Sequence, residues 1–199
     1  MIEYIRGRIE DLTPTGVVLE TRGGVGYGLS ISLNTYTALQ GKEEARLYVY
    51  ESIREDAWQL YGFATSVERE IFILLISVSG IGGQTARMIL SAFSPGDLVR
   101  IVRQEDVRSL RSVKGIGPKA AARLIVDLQG KMDGIEAGAG SATSGHSTAA
   151  ISPMVEEAVQ ALTVLGFSPA PTQKVVQAII LEEPDIKVER LIKLALKRL

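Results

Sequence analysis

Two stretches of the chain place glycine, isoleucine and glycine ahead of a helical pattern. Ser77-Val78-Ser79-Gly80-Ile81-Gly82-Gly83-Gln84-Thr85-Ala86 recurs 35 residues later as Ser112-Val113-Lys114-Gly115-Ile116-Gly117-Pro118-Lys119-Ala120-Ala121, with six of the ten positions identical. Glycine permits positive φ and removes the Cβ that would hold a ligand away. The isoleucine can turn inward and anchor the turn. Backbone N–H groups after the second glycine then lie at a helix N-terminus, where the dipole favours an anion. Gly80, Ile81, Gly82 and Gly83 form the first such turn, and Gly115, Ile116 and Gly117 the second. Lys119 and Arg123 stand four apart, on one face of the second outgoing helix. This is a phosphate clamp that does not read base identity.

Other chemistries compete for the same residues. Gly115-x-Gly117-x-x-Ala120 fits a loose dinucleotide fingerprint, but that motif needs a preceding strand, and Val107–Val113 shows no alternation. Gly41-Lys42 and Gly130-Lys131 lack a following hydroxyl, so there is no Walker A loop. Glycine-closed helical hairpins serving packing alone are the bland reading, which two matched copies disfavour. Lys119 as a lyase nucleophile would need desolvation and a carboxylate partner. Asp127 is eight residues further on, more than two helical turns. A second cluster, Arg54-Glu55-Asp56, lies between two strand-like runs. On composition alone it is a solvated hairpin tip. No third carboxylate or lysine at motif spacing supports a metal-dependent nuclease, and no metal or cofactor is expected.

These residues must be carried by a chain of 199 residues, enough for one large domain or two to three small ones. Hydrophobic residues at 46% and charged residues at 23% exclude wholesale disorder. No run is long and apolar enough to span a membrane, and Met1–Arg6 does not read as a signal peptide. Cysteine is absent and His146 is the sole histidine, which excludes disulfides and, within one subunit, most metal clusters and triads. A cytoplasmic location is expected. The net charge of −1 is unevenly spread: Arg87 to Arg123 holds 8 basic and 3 acidic residues. That local excess favours nucleic acid, although the chain's pI near 6.0 does not.

Residues 1–63 read as five short strands, Ile2–Ile9, Gly16–Glu20, Gly26–Leu33, Arg46–Ile53 and Ala57–Phe63, separated by turn residues. They suggest a small barrel or sandwich, and an OB-type barrel fits. Residues 64–130 read as helices. Ser66 is the expected N-cap, with Arg69 where a capping box wants glutamate, and Ile71–Ile76 should be core. Further helices are expected at Thr85–Phe93, Asp97–Arg103, Val107–Leu110 and Lys119–Leu128. Residues 131–150, rich in Gly, Ala, Ser and Thr, read as a flexible linker containing His146. Residues 151–199 read as three helices, opened by Ser152 and Pro153. Their apolar stripes are Val155, Ala158, Val159, Leu162 and Leu165, then Val176, Ile179 and Ile180, then Val188, Leu191, Ile192, Ala195 and Leu199.

Tandem helix-hairpin-helix turns after an OB-like barrel, followed by a linker and a three-helix, UBA-like unit, resemble the RuvA family of bacterial Holliday-junction-binding subunits. Further matches are Gly23-Gly24-Val25-Gly26-Tyr27, Arg54-Glu55-Asp56, Leu60-Tyr61-Gly62-Phe63 and Leu162-x-x-Leu165-Gly166-Phe167. The first hairpin departs from the family, with Gly83-Gln84 where Pro-Lys is common. The resemblance implies a non-catalytic homotetramer that holds a four-way junction open without sequence preference. It leaves an octamer, and RuvC as a further partner, open. Glu55 and Asp56 would cluster at the tetramer centre and repel phosphates. The C-terminal unit would recruit the RuvB ATPase, through a patch including Leu162, Leu165 and Phe167. The rival readings are a helix-hairpin-helix glycosylase or lyase and a general binding scaffold.

Overall fold

The computed structural model describes residues 1–132, 135, 153–164, 166–183 and 186–199. Two compact units divide the chain, Met1–Ser141 and Ala142–Leu199.

The first unit opens with a closed barrel of β1 (Tyr4–Thr13), β2 (Gly16–Glu20), β3 (Gly26–Ile31), β4 (Glu44–Ile53) and β5 (Trp58–Phe63), in the order β1-β2-β3-β5-β4. Long β1 pairs with both β2 and β4, and its register shifts between Ile9 and Asp11, a bulge that bends the strand. Leu19, Leu29, Ile31, Leu47 and Val49 fill the interior. The other face of β4 and β5 turns Tyr50, Tyr61 and Phe63 onto Phe72, with ring centroids 5.4, 4.8 and 4.9 Å away. Leu60–Phe63 of β5 is buried on both faces, which is why it reads as an apolar run.

The barrel also carries an element that the five-strand pattern does not announce. Helix α1 (Leu33–Leu39) occupies the β3–β4 connection, and Ser32 caps it by accepting from the Thr35 N–H. Its sequence is short and holds two threonines and a tyrosine, weak helix formers, so tertiary contacts hold it. Thr35 and Leu39 are its buried residues.

Helices α2 (Ser66–Ser77), α3 (Gly83–Ala92), α4 (Pro95–Arg103), α5 (Val107–Arg111) and α6 (Pro118–Leu128) follow. The α2 cap differs from the expected one. Thr65, not Ser66, accepts from the Glu68 N–H at 3.1 Å, which puts Glu68 rather than Arg69 at the third helical position. Ile71, Phe72 and Leu75 are buried as expected, but Ile73 is 42% exposed because it lies on the outer side of α2. Met132 and Ile135, placed in the linker by composition, are buried in the helical core.

The second unit holds α7 (Pro153–Val164), α8 (Pro169–Glu182) and α9 (Val188–Arg198). Val155, Ala158, Leu162, Val176, Ile179, Leu191 and Ala195 form its core, close to the stripes read from the sequence. Leu199, expected in the third stripe, is 39% exposed at the end of α9. Ser152, Leu165, His146 and most of the linker lie outside the described residues.

Glu68 joins the barrel to the helices. Only 3% exposed, its carboxylate accepts from the hydroxyls of Ser32 and Thr35, the latter at 2.7 Å, and from the Ala64 N–H at 3.2 Å. Burial pushes its pKa above the ordinary glutamate value, although the three hydrogen bonds pull the other way. A raised folded-state pKa means that this group's contribution to stability is complete below its unfolded value. It is then lost as the pH rises through the raised value. Glu68→Gln should therefore flatten that part of the stability–pH curve. Glu68→Ala, which strands the hydroxyls of Ser32 and Thr35 while the Ala64 N–H keeps its bond to the Thr35 Oγ1 at 3.1 Å, should cost about 2–4 kcal/mol at neutral pH. Thermal unfolding of both variants across pH 4–8 checks this.

Candidate nucleic-acid interface

The two Gly-Ile-Gly turns are near copies in three dimensions. Gly80 and Gly115 take φ of +89° and +91°, in the left-handed region that glycine tolerates best. Gly82 and Gly117 share extended backbone, with ψ of 171° in each. The Ile81 N–H donates to the Val78 carbonyl at 3.0 Å, and the Ile116 N–H to the Val113 carbonyl at 3.1 Å. Ile81 and Ile116 are both buried, as anchors of the turns, so the surface that a ligand meets is glycine backbone.

The helices leaving these turns differ from their neighbours in one respect. Within the first unit, α1, α2, α4 and α5 are each capped by a side chain, from Ser32, Thr65, Ser94 and Asp106. Helices α3 and α6 begin at Gly82 and Gly117 with no side-chain cap. Their first N–H groups have no intrahelical partner: Gly83, Gln84 and Thr85 in α3, Lys119 and Ala120 in α6, where Pro118 has none to give. Two uncapped N-termini facing outward are donors for an anion.

Charge separates the copies. Lys119 and Arg123 are exposed on α6, as expected, and Lys114 is exposed in the turn itself. Lys114 is a further cation that the spacing of Lys119 and Arg123 does not reveal; its place beside Gly115, where the first copy has Ser79, is the signal in the sequence. The first copy offers Ser79, Gln84 and Met88 at the positions of Lys114, Lys119 and Arg123. Its one cation, Arg87, donates to the Thr15 carbonyl of the barrel at 2.9 Å. Lys119 is solvated, which denies it the desolvation that a nucleophilic lysine requires.

Gly83 serves packing as much as access. A Cβ on it would stand 2.4 Å from the Tyr61 hydroxyl oxygen and 2.6 Å from its ring carbon Cζ. The first hairpin therefore rests directly on β5. Tyr61 also donates to the Gln59 Oε1 at 3.0 Å. The same strand leads back to the acidic turn, where the Arg54 N–H donates to the Ala57 carbonyl at 2.8 Å and leaves Glu55 and Asp56 exposed at a tight tip. Asp56 stands in the turn two residues before β5 begins at Trp58, and Tyr61 is the fourth residue of that strand. β5 thus runs from the acidic turn to the residue on which the first hairpin rests.

In the C-terminal unit, Gly166 takes φ +98°, and the Phe167 N–H donates to the Leu162 carbonyl at 3.1 Å, a glycine-closed helix end. Leu162, expected at a partner patch, is fully buried and belongs to the unit's own core. Phe167 is half-buried against that core with part of its surface in solvent. Leu165 is outside the described residues.

Family models match along most of the chain: the RuvA N terminal domain over residues 1–62, the SAM-like helix-hairpin-helix tandem over 72–130, and the RuvA C-terminal domain over 153–199. Three relatives, each called Holliday junction branch migration complex subunit RuvA, align over the whole of both chains. They come from Bacteroides thetaiotaomicron, 58% identical over 202 residues, Parabacteroides distasonis, 49% over 199, and Porphyromonas gingivalis, 44% over 204.

Gly83→Ala drives a methyl into Tyr61, with no flexible side-chain end to yield. It should destabilise the first unit by about 1–3 kcal/mol. Gly23→Ala, where a Cβ meets nothing within 4 Å, is the matched control and should stay within about 1 kcal/mol of the parent. Urea unfolding of the two variants makes the comparison.

Proposed function

The chain belongs to the RuvA family, and from that premise we propose that it binds four-way DNA junctions as a homotetramer, without sequence preference, and recruits the RuvB ATPase for branch migration. It acts as a binding subunit, with ATP chemistry left to the partner. The observation that carries this reading is the pair of matched, uncapped hairpins fixed by one strand to an exposed carboxylate tip. The hairpins grip phosphates through backbone donors, and Lys114, Lys119 and Arg123 add charge at the second. Glu55 and Asp56 repel phosphates. In a tetramer, four such tips would meet where strands cross and steer them into separate arms. Repulsion between charges crowded together and partly shielded from water is less screened than on an open surface.

Gel mobility shifts with a four-way junction and a duplex of equal length, at several salt concentrations, test the clamp and the tip together. Lys119→Ala with Arg123→Ala should weaken both substrates alike and reduce the salt slope by about 0.9 for each phosphate left unneutralised. Gln84→Ala should leave the slope unchanged, because glutamine carries no charge. Glu55→Gln with Asp56→Asn should tighten duplex binding and narrow the preference for the junction. An unchanged slope removes the clamp assignment, and an unchanged junction-to-duplex ratio removes the tip assignment.

The C-terminal unit is proposed to hold the ATPase through a surface that includes Phe167, since a separate compact unit can search for a partner while the first stays on DNA. Phe167→Ala should abolish ATPase recruitment, read by co-sedimentation with RuvB on junction DNA, while junction affinity stays at the parent level. Retained recruitment, or weakened junction binding, would overturn this division.

A further inference from the structure

We infer that Trp58 stacks on a base left unpaired at the junction crossover, with Glu55 and Asp56 accepting hydrogen bonds from the edge of that base; the inference rests on the junction-binding reading above. Trp58 is the chain's sole tryptophan. It pairs in register with Ile53 at the base of the acidic tip, and the two side chains are 66% and 71% exposed. An indole left open beside two carboxylates gives up burial that most tryptophans have.

The strand directs it. Along β5, Leu60 belongs to the barrel core and Tyr61 to the helical side. Trp58, two residues before Leu60, therefore continues the barrel side. There it lines an open groove with Tyr27, Leu29 and Leu60. The groove exists because β3 and β5 pair only at Ser30–Tyr61 and Ile31–Gly62. Barrels of this topology present the β2–β3 face and the β4–β5 loop to oligonucleotides.

The chemistry selects the occupant. Two carboxylates next to the indole repel phosphates, so the group that can approach is an uncharged base face. Base–aromatic stacking is tolerant of sequence. Carboxylates accept from exocyclic amino groups such as cytosine N4. A second copy of the chain as the occupant is the outcome that the concentration series below would reveal.

The full chain, bound to a four-way junction carrying 2-aminopurine at a crossover position, provides the test. Binding by the parent and by Trp58→Phe should lower the 2-aminopurine emission, and Trp58→Ala should leave it high. Trp58→Ala should also lose about tenfold in junction affinity with duplex affinity unchanged. Equal emission with all three proteins overturns the inference. So does an emission shift of the sole tryptophan on raising protein concentration without DNA, which would assign Trp58 to a contact between copies. Gel shifts of the same samples separate the two levels: no junction complex with the parent protein removes the underlying reading itself.

Discussion

One buried carboxylate ties the barrel to the helices of the first unit. Glu68 accepts from Ser32 and Thr35 at the start of α1 and from the Ala64 N–H just after β5, while its own backbone is the first turn of α2. Two segments more than 30 residues apart in sequence, the start of α1 and the β5–α2 junction, meet on two oxygens. Taking a carboxylate out of water is costly, and it is tolerable here because the acceptors are filled. An apolar contact could hold the same surfaces together, but it would tolerate sliding. Directional bonds from two hydroxyls and an amide fix one register.

The first hairpin inherits that register. Tyr61 lies under Gly83 at the N-terminus of α3, and the Arg87 guanidinium reaches the Thr15 carbonyl from its middle. At the other end of α3 the Asn34 amide donates to the carbonyls of Leu90 and Phe93 at 2.7 and 3.0 Å. Helix α3 is thus held by the barrel at its start, middle and end. The acidic turn precedes the same strand, β5, on which the start of α3 rests. In the C-terminal unit, an apolar cluster and the Glu182–Arg198 pair between α8 and α9 hold the helices together.

The parts legible in the sequence are those written in local pattern. The hairpin repeat gives itself away because the same turn geometry demands the same residues twice, Gly80 and Gly115 for positive φ and Ile81 and Ile116 for anchoring. Strand β5 is legible as an apolar run because both faces of Leu60–Phe63 are covered. Helix α1 is not, because its residues have little helical preference and its stability comes from Thr35 and Leu39 buried across the chain. The α2 cap is displaced by one residue from its expected place because Thr65 and Ser66 are equally good caps and only the bond to the Glu68 N–H distinguishes them. Gly83 reads as ligand access, while its closest constraint is an aromatic ring 22 residues earlier in the chain. No local pattern carries such a contact.

The difference between the two hairpins follows from these anchors. The first turns Arg87 and the start of α3 toward the barrel, so its cation is engaged with the Thr15 carbonyl and Gly83 is committed to Tyr61. What it presents outward is backbone. The second packs on α2 and α4, and the Met88 Cε of the first lies 3.8 Å from the position of a Cβ on Gly115. Its outer face is free for Lys114, Lys119 and Arg123. Position and charge are therefore divided: the first hairpin is anchored on the barrel, and the second carries the exposed cations. A clamp whose two halves were both highly charged would bind any duplex more tightly, and the carboxylates would have more attraction to overcome before they could favour a branched substrate.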